Sequence, residues 1–415
     1  MNRNGFPQVV IIGAARTPIG VKCGTLSEFA PEELAALACE EAIRRSGVDR
    51  ESIDTAIGAN VYQYTAPGAQ DIYFPRNVAL RCRLREETPG LMVQRICGSG
   101  LQTIINGFQQ IALPEAVDDA RIAICFGAEC MSRTPQVIRS HRLRSNFWEF
   151  AEGGTLEDTL LAGLNHDVAH TSMMLTADEY GSQMGITRRE CDEFAAQSHA
   201  RARAAYRQSH FNGGDALRGV FALDATDLRG REVHLARDEC VRQTDIETLA
   251  KLPSLTPHGL VTAGNASEIS DAAAAVILAD RSEAERAGCS FRYAIAGYGV
   301  CGVNPLVMGR GPVPSIQQAL GKAKIAQEDV GLWEINEAFA AQYLGVEKEL
   351  GLDRETVNVN GGAVAIGHPL AATGVRMTVD LIYEMQRRDV RYGCASACIG
   401  GGQGVALVIR DLEKT

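Results

Sequence analysis

Short apolar runs recur at residues 9–12, 122–126, 293–296 and 405–409, several of them bounded by glycine. They are continuous rather than alternating, the pattern expected of strands buried on both faces. Between them the apolar positions return at helical spacing. Pro31-Glu32-Glu33-Leu34 opens a predicted helix that runs through Leu37 and Ile43 to about Ser46, with proline and acids in its first turn and Gly47 past its end. The arrangement recurs at Pro314-Ser315-Ile316, which leads through Leu320 to about Lys324. Each predicted helix is followed by a short acidic link and a strand, within residues 53–57 or 330–335. This is a weak internal repeat.

The repeat extends to the reactive residues. The first half reaches Cys97-Gly98-Ser99-Gly100-Leu101 and the second His368-Pro369-Leu370-Ala371-Ala372-Thr373-Gly374, each just before a predicted helix. The halves are therefore expected to be duplicates facing one another. Between them, residues 128–262 are less apolar and carry Arg139, Arg142, Arg144, Arg201, Arg203 and Arg207. This stretch reads as a large inserted loop domain, its charges either a solvated face or a ligand cover beside an active site.

Length and composition narrow the class. A chain of 415 residues, 46% hydrophobic and 22% charged, has room for two core domains. No apolar run approaches the roughly 18 to 20 residues that span a bilayer, and the start lacks the basic region and cleavage site of a secretory signal. A cytoplasmic location and no membrane contact are expected. The formal net charge of −10 argues against general nucleic-acid binding, which needs a clustered basic surface. The twelve cysteines lack the dense spacing of a small secreted scaffold, so reduced core thiols are expected. No paired ligand set of structural-zinc type stands out.

Four segments carry candidate chemistry. Cys97 precedes apolar positions of helical spacing, which places its sulfur at a helix N-terminus where free amides favour thiolate. Gly98 and Gly100 would leave space for a substrate carbonyl. His368 sits on a turn stiffened by Pro369, a suitable base for a cysteine proton. Cys398 leads into Gly400-Gly401-Gly402, whose N–H groups would line an oxyanion pocket. Asn336 stands at a strand end. Each also has a plainer reading: packed cysteines, a core or capping histidine, an asparagine that caps the next helix. Only their conjunction points to acyl transfer through a thioester.

In kind and order these segments resemble the thiolase family of acetyl-CoA acetyltransferases and 3-ketoacyl-CoA thiolases. Further matches are Ala14-Ala15-Arg16-Thr17-Pro18-Ile19-Gly20, Gly127-Ala128-Glu129 with Met131-Ser132, Thr262-Ala263-Gly264-Asn265-Ala266-Ser267, and Met308-Gly309-Arg310-Gly311-Pro312. The resemblance covers nearly the whole chain. It implies an α/β, five-layered αβαβα fold of two duplicated halves, with residues 1–127 and 263–287 forming the first, 288–415 the second, and 128–262 an inserted loop domain covering coenzyme A. It also implies a ping-pong reaction. Cys97 would attack a 3-ketoacyl-CoA and hold the acyl group, His368 would take the Cys97 proton, and Cys398 would handle the α-proton. The N–H groups of Cys97 and Gly400 would form one oxyanion pocket, and His368 with a water held by Asn336 the second.

As implied contacts for coenzyme A, bound as substrate and not as a permanent cofactor, the resemblance carries over Ser267, Arg242, Met173, Ala338 and Phe339. A homodimer or homotetramer is implied, and a further protein partner is left open. Several positions depart from the family pattern. Ala371 and Thr373 replace a glycine and a serine, a change expected to alter packing alone. Glu268, Ser270 and Ala272 follow Ser267 where the usual sequence is Gly-Ile-Asn-Asp-Gly after the serine, so that an acid is added beside the coenzyme A channel. Ser172-Met173 replaces a His-Met pair common in short-chain acetoacetyl enzymes, and residues 147–174 lack the usual loop sequence. These changes concentrate where substrate shape is read, so the expected substrate is not simple acetoacetyl-CoA. The rival readings are a catalytically silent acyl-CoA-binding subunit and a decarboxylative ketoacyl-synthase-type enzyme, which would not need Cys398.

Overall fold

The computed structural model describes residues 8–113, 119–139, 155–211 and 219–414. The principal strands are β1 (Val9–Arg16), β2 (Thr55–Ala59), β3 (Gly90–Met92), β4 (Ile122–Cys130), β5 (Ser270–Asp280), β6 (Tyr293–Gly302), β7 (Leu332–Ile335), β8 (Tyr392–Ile399) and β9 (Gln403–Asp411). The helices that matter for the site are α1 (Pro31–Ser46), α2 (Ser99–Ala112), α3 (Pro312–Ala323), α4 (Ala340–Leu350) and α5 (Leu370–Arg388). No helix among the described residues is long and apolar enough to cross a membrane.

The strands follow the order β7-β8-β9-β6-β1-β5-β4-β2-β3. In the first half β2 runs parallel to β3 and β4, β4 antiparallel to β5, and β5 antiparallel to β1. The second half repeats this sequence of senses, with β7 parallel to β8, β8 antiparallel to β9, and β9 antiparallel to β6. The two sets meet through a short contact, Val10 with Ala294 and Ile11 with Tyr293. The duplication sensed in the sequence is thus visible in the topology.

Three apolar clusters separate five layers. Val10, Ile12 and Ile277 face Leu34, Ala38 and Ala42 of α1 on one outer side. Their neighbours in the two-residue period of a strand, Val9, Ile11, Val276 and Leu278, face inward to Leu101, Ile104 and Ile105 of α2 and Val375 and Leu381 of α5. Leu407 and Ile409 of β9 close the same central layer from its other side. Val408, with Trp333, packs outward against Ile316 of α3 and Leu344 of α4. Burial on both faces is why these strands read as unbroken apolar runs, each buried aliphatic side chain contributing about 1.5 to 3 kcal/mol.

One helix boundary differs from expectation. The helix predicted from Pro314 begins at Pro312 and ends at Ala323, where Lys324 turns left-handed with φ of 57°. β5 contains Ala272-Ala273-Ala274-Ala275, a run with higher helix than strand propensity. Small residues are needed in this part of the sheet because a helix packs close to it: a Cβ on Gly127 of the neighbouring β4, opposite Ala274, would lie 2.1 Å from the carbonyl oxygen of Ala371.

The segment between β4 and β5 is fastened to the second half. In its helix Arg188–Arg207, Phe194 stacks on Tyr343 of α4 with ring centroids 4.3 Å apart, and Ser198 donates to the buried Glu337. Arg201 donates to the carbonyl of Val357 and Arg203 to that of Arg242, while Arg207 is exposed. Arg16 is wholly buried between Asp238 at 2.9 Å and Asp380 at 2.8 Å, joining that segment to β1 and α5. Arg142 and Arg144, and part of the stretch 147–174, lie outside the described residues.

Candidate active site

The site forms where α2 and α5 meet, because both helices begin there and both carry glycine at the crossing. A Cβ on Gly100 would lie 2.7 Å from the Ala371 carbonyl oxygen, and one on Gly374 2.2 Å from the Leu101 nitrogen. A Cβ on Gly98 would lie 2.4 Å from the Ile399 side chain. These two glycines of the cysteine loop therefore admit neighbouring protein, and the expectation that they leave room for a substrate carbonyl is corrected.

Cys97 occupies the tight turn Ile96–Gly98 that leads into α2. Ile96 has φ of 45°, unfavourable for a β-branched residue and worth about 1 to 3 kcal/mol of strain. The turn is held by Arg95 N–H donating to Ser99 Oγ at 2.7 Å and Gly98 N–H donating to the Arg95 carbonyl at 2.9 Å. Tyr62, Met131, Leu160 and Leu370 pack around Cys97. Burial pushes its thiol up to about 12, opposed by the N–H groups of Gly400 and of Cys97 itself, with Glu129 adding a smaller upward push. The helix N-terminus expected to favour thiolate is opposed by desolvation, which favours the thiol form of Cys97.

His368 follows Gly367, whose φ of 104° only glycine adopts readily. Its N–H donates to the Glu268 carbonyl. The Thr373 hydroxyl donates to the Pro369 carbonyl at 2.9 Å, so at its 2.7 Å contact with His368 Nδ1 it accepts. That assigns the ring proton to Nδ1 and leaves Nε2 unprotonated. Asn336 Nδ2 lies 3.3 Å from Nε2. Burial, and then the nearby Arg376 charge, lower the His368 pKa to about 3. The imidazole is neutral and available as a base. Thr373, expected to affect packing alone, orients the ring.

Asn336 follows β7 and is fixed by its N–H to the Ser396 carbonyl. It does not cap the following helix, whose capping position is Phe339, and its Oδ1 is buried without a protein partner. Cys398, at the end of β8, is wholly buried and packs with Met308, Ala338, Met173 and Phe339. Its thiol is pushed upward by burial first and by Cys97 second. Gly401 and Gly402 have φ of 84° and 82° and turn the chain away after Gly400.

Of the residues proposed from the sequence as carrier contacts, Met173, Ala338 and Phe339 pack with Cys398. Met173 packs over Gly400, where a Cβ would lie 3.1 Å from its sulfur. Ser267 N–H donates to the Ala338 carbonyl, and Ala266 bridges Phe339. Arg242 stands outermost, 47% exposed and paired at 2.8 Å with Glu268. Glu129, which the sequence did not mark as part of the site, lies buried in the Gly127-Ala128-Glu129 motif. This buried carboxylate accepts from Asn60 Nδ2 and from the N–H groups of Val61, Tyr62 and Ala371. It ties the loop beside Cys97 to the start of α5, and burial raises its pKa to about 7.

The duplicated five-layer α/β fold, with its buried cysteines and histidine, is that of an acyltransferase. The N-terminal domain of thiolase matches residues 9–282 and the C-terminal domain residues 290–411. The chain belongs to the thiolase family and is an acyltransferase. Human mitochondrial 3-ketoacyl-CoA thiolase is 39% identical over 404 residues, covering 97% of this chain and 98% of that protein. Beta-ketothiolase BktB of Cupriavidus necator is 39% identical over 409 residues, covering 98% and 99%. The crystal structure of the human mitochondrial enzyme matches with a TM-score of 0.91 at 38% identity, covering 98% of this chain and 99% of that one. The human enzyme in complex with CoA matches at 0.90 and 38%, covering 98% of each.

Proposed function

We propose that the chain catalyses reversible ping-pong acyl transfer between a 3-ketoacyl-CoA and coenzyme A through a thioester on Cys97. In the cleavage direction Cys97 Sγ attacks the 3-keto carbon while His368 Nε2 takes the thiol proton. The bond between C2 and C3 breaks, the acyl group stays on Cys97, and Cys398 protonates the departing enolate, which leaves as acetyl-CoA. Coenzyme A then attacks the thioester. Its thiol proton restores Cys398, and the His368 proton returns to Cys97.

The thiol form of Cys97 and a neutral imidazole mean that charge appears only during attack, so oxyanion donors matter most at that moment. The N–H groups of Cys97 and Gly400 hold one oxyanion, a donor of this kind being worth about 3 to 4 kcal/mol. His368 and a water on Asn336 hold the enolate oxygen. The single observation that carries this reading is that the Cys97 turn meets Ile399 and Gly400 on one side and Leu370, two residues past His368, on the other.

The carrier would run along Met173, Ser267, Ala338 and Phe339 toward Arg242. For the acyl group we propose a chain longer, branched or aromatic beyond acetoacetyl. Supporting this, the wall beside Cys97 is apolar, and Ser172 replaces a larger histidine while its hydroxyl caps the helix Met173–Gln183. We further propose at least a homodimer. Leu91 on the edge strand β3, with Tyr64 and Tyr73, is exposed as a buried subunit contact would require.

The test is mass spectrometry after incubation with straight, branched and aromatic 3-ketoacyl-CoAs. An acyl adduct on the Cys97 peptide, lost in Cys97→Ala, is expected, and its mass identifies the preferred acyl group. No adduct from any donor favours a silent acyl-CoA-binding subunit. Turnover of malonyl thioesters that survives Cys398→Ser favours a decarboxylative synthase.

A further inference from the structure

We propose that Glu268 sets how strongly the site grips the phosphate-bearing end of its acyl carrier, by holding Arg242 in competition with phosphate. The inference rests on the functional reading above. Where the family pattern carries glycine, this chain places a carboxylate, and that carboxylate lies 2.8 Å from the Arg242 guanidinium. The backbone of the same residue faces the chemistry, since the Glu268 carbonyl accepts from the His368 N–H and from Ser270 Oγ. Glu268 thus spans the short distance between the buried base and the half-exposed cation.

Arg242 is a ready anchor for an anion. Its N–H donates to His199 Nδ1 at 3.4 Å, and its carbonyl accepts from Arg203 at 2.6 Å, so its main chain is fixed while its side chain reaches solvent. Arg203 adds a second positive charge nearby. On the carrier path proposed above, which runs past Ser267, the adjacent Glu268 neutralises Arg242. Side chains 47% and 29% exposed make a pair that water and salt can open, so phosphate can displace the carboxylate. Displacement leaves Glu268 facing phosphate, and that repulsion weakens binding further. Both effects have the same sign.

The experiment is calorimetric titration of the full-length protein with coenzyme A and with pantetheine, which lacks the phosphates, at low and moderate ionic strength. In Glu268→Gln, coenzyme A is expected to bind about threefold to fivefold more tightly at low salt, the range an exposed ion pair supports. The gain should shrink with added salt, vanish when Arg242→Ala is combined with it, and be absent for pantetheine. Unchanged or weaker coenzyme A binding in Glu268→Gln, or equal tightening of pantetheine, overturns the proposal while the functional reading stands. Absence of coenzyme A binding to the wild type, together with no acylation of Cys97, overturns both.

Discussion

His368 Nδ1 lies 2.7 Å from Thr373 Oγ1, and the threonine proton is spent on the Pro369 carbonyl. A residue five positions along the same turn and helix therefore decides which ring nitrogen of the histidine is free. Replacing Thr373 with valine keeps the shape but removes the acceptor, so the Nδ1 proton loses its partner and the Nε2 tautomer competes. We expect kcat of thiolysis to fall roughly 10- to 100-fold, a part of what a general base supplies. Thr373→Ser should retain most activity, and an equal loss in both variants would contradict the orienting role.

Cys97 is buried and its pKa is raised to about 12, whereas Cys23 is exposed. In the unliganded protein iodoacetamide should therefore modify Cys23 before Cys97. Because the thiolate fraction grows about tenfold per pH unit below the pKa, the Cys97 rate should keep rising from pH 7 to 10 without a plateau. A plateau near neutrality, read by peptide mass spectrometry, would mean that the helix N-terminus overrides desolvation.

Glu129 makes the folded protein sensitive to pH. Burial raises its pKa to about 7 from an ordinary 4.5, so between these values the folded state holds a proton that the unfolded state has released. Its contribution to stability is full below the unfolded pKa and is lost as pH rises through 7. Glu129→Gln should remove that slope in urea unfolding followed from pH 4.5 to 8. It should also cost about 1 to 3 kcal/mol, because the amide sets N–H groups against N–H donors. An unaltered slope would assign the pH dependence elsewhere.

His368 contributes in the opposite direction. Its pKa falls to about 3 on burial from an ordinary 6.5, so its share of stability is complete above 6.5 and lost progressively as pH falls toward 3. His368→Asn should therefore lose less stability than the wild type on acidification from pH 6.5 to 4, measured by the shift of the urea midpoint.

At the crossing of α2 and α5, Gly100→Ala would force a methyl group to within 2.7 Å of the Ala371 oxygen and the Val375 nitrogen. Since both helices start at reactive residues, we expect a destabilisation of about 1 to 3 kcal/mol, with loss of acylation at Cys97. The control Gly47→Ala, where no atom stands within 4 Å but φ is 67°, should cost stability alone. A stable and fully active Gly100→Ala would remove the crossing from the design of the site.

Much of the architecture was legible because the local signals agree. Pro31, Glu32, Glu33 and Gly47 bound α1 where helix-end chemistry places them, and the apolar runs in β1, β4, β6 and β9 are strands buried on both faces. β5 and β8 carry weaker signals, because alanine, glycine, serine and cysteine fill positions where neighbouring layers approach closely. Local propensity then says little, and the packing distance decides.

The sequence by itself determined the kinds of reactive group, their order and the two-fold repeat that carries them, because residue type and spacing survive without coordinates. Only the tertiary structure decided what those groups are. It turned Gly100 of the cysteine loop into part of a helix crossing, set burial against the thiolate of Cys97, and placed one proton on His368 through Thr373. It also bound Arg242 to Glu268. Each of these depends on burial and on contacts between residues far apart in the chain, and desolvation and hydrogen-bond partners become defined only once the two halves have closed on each other.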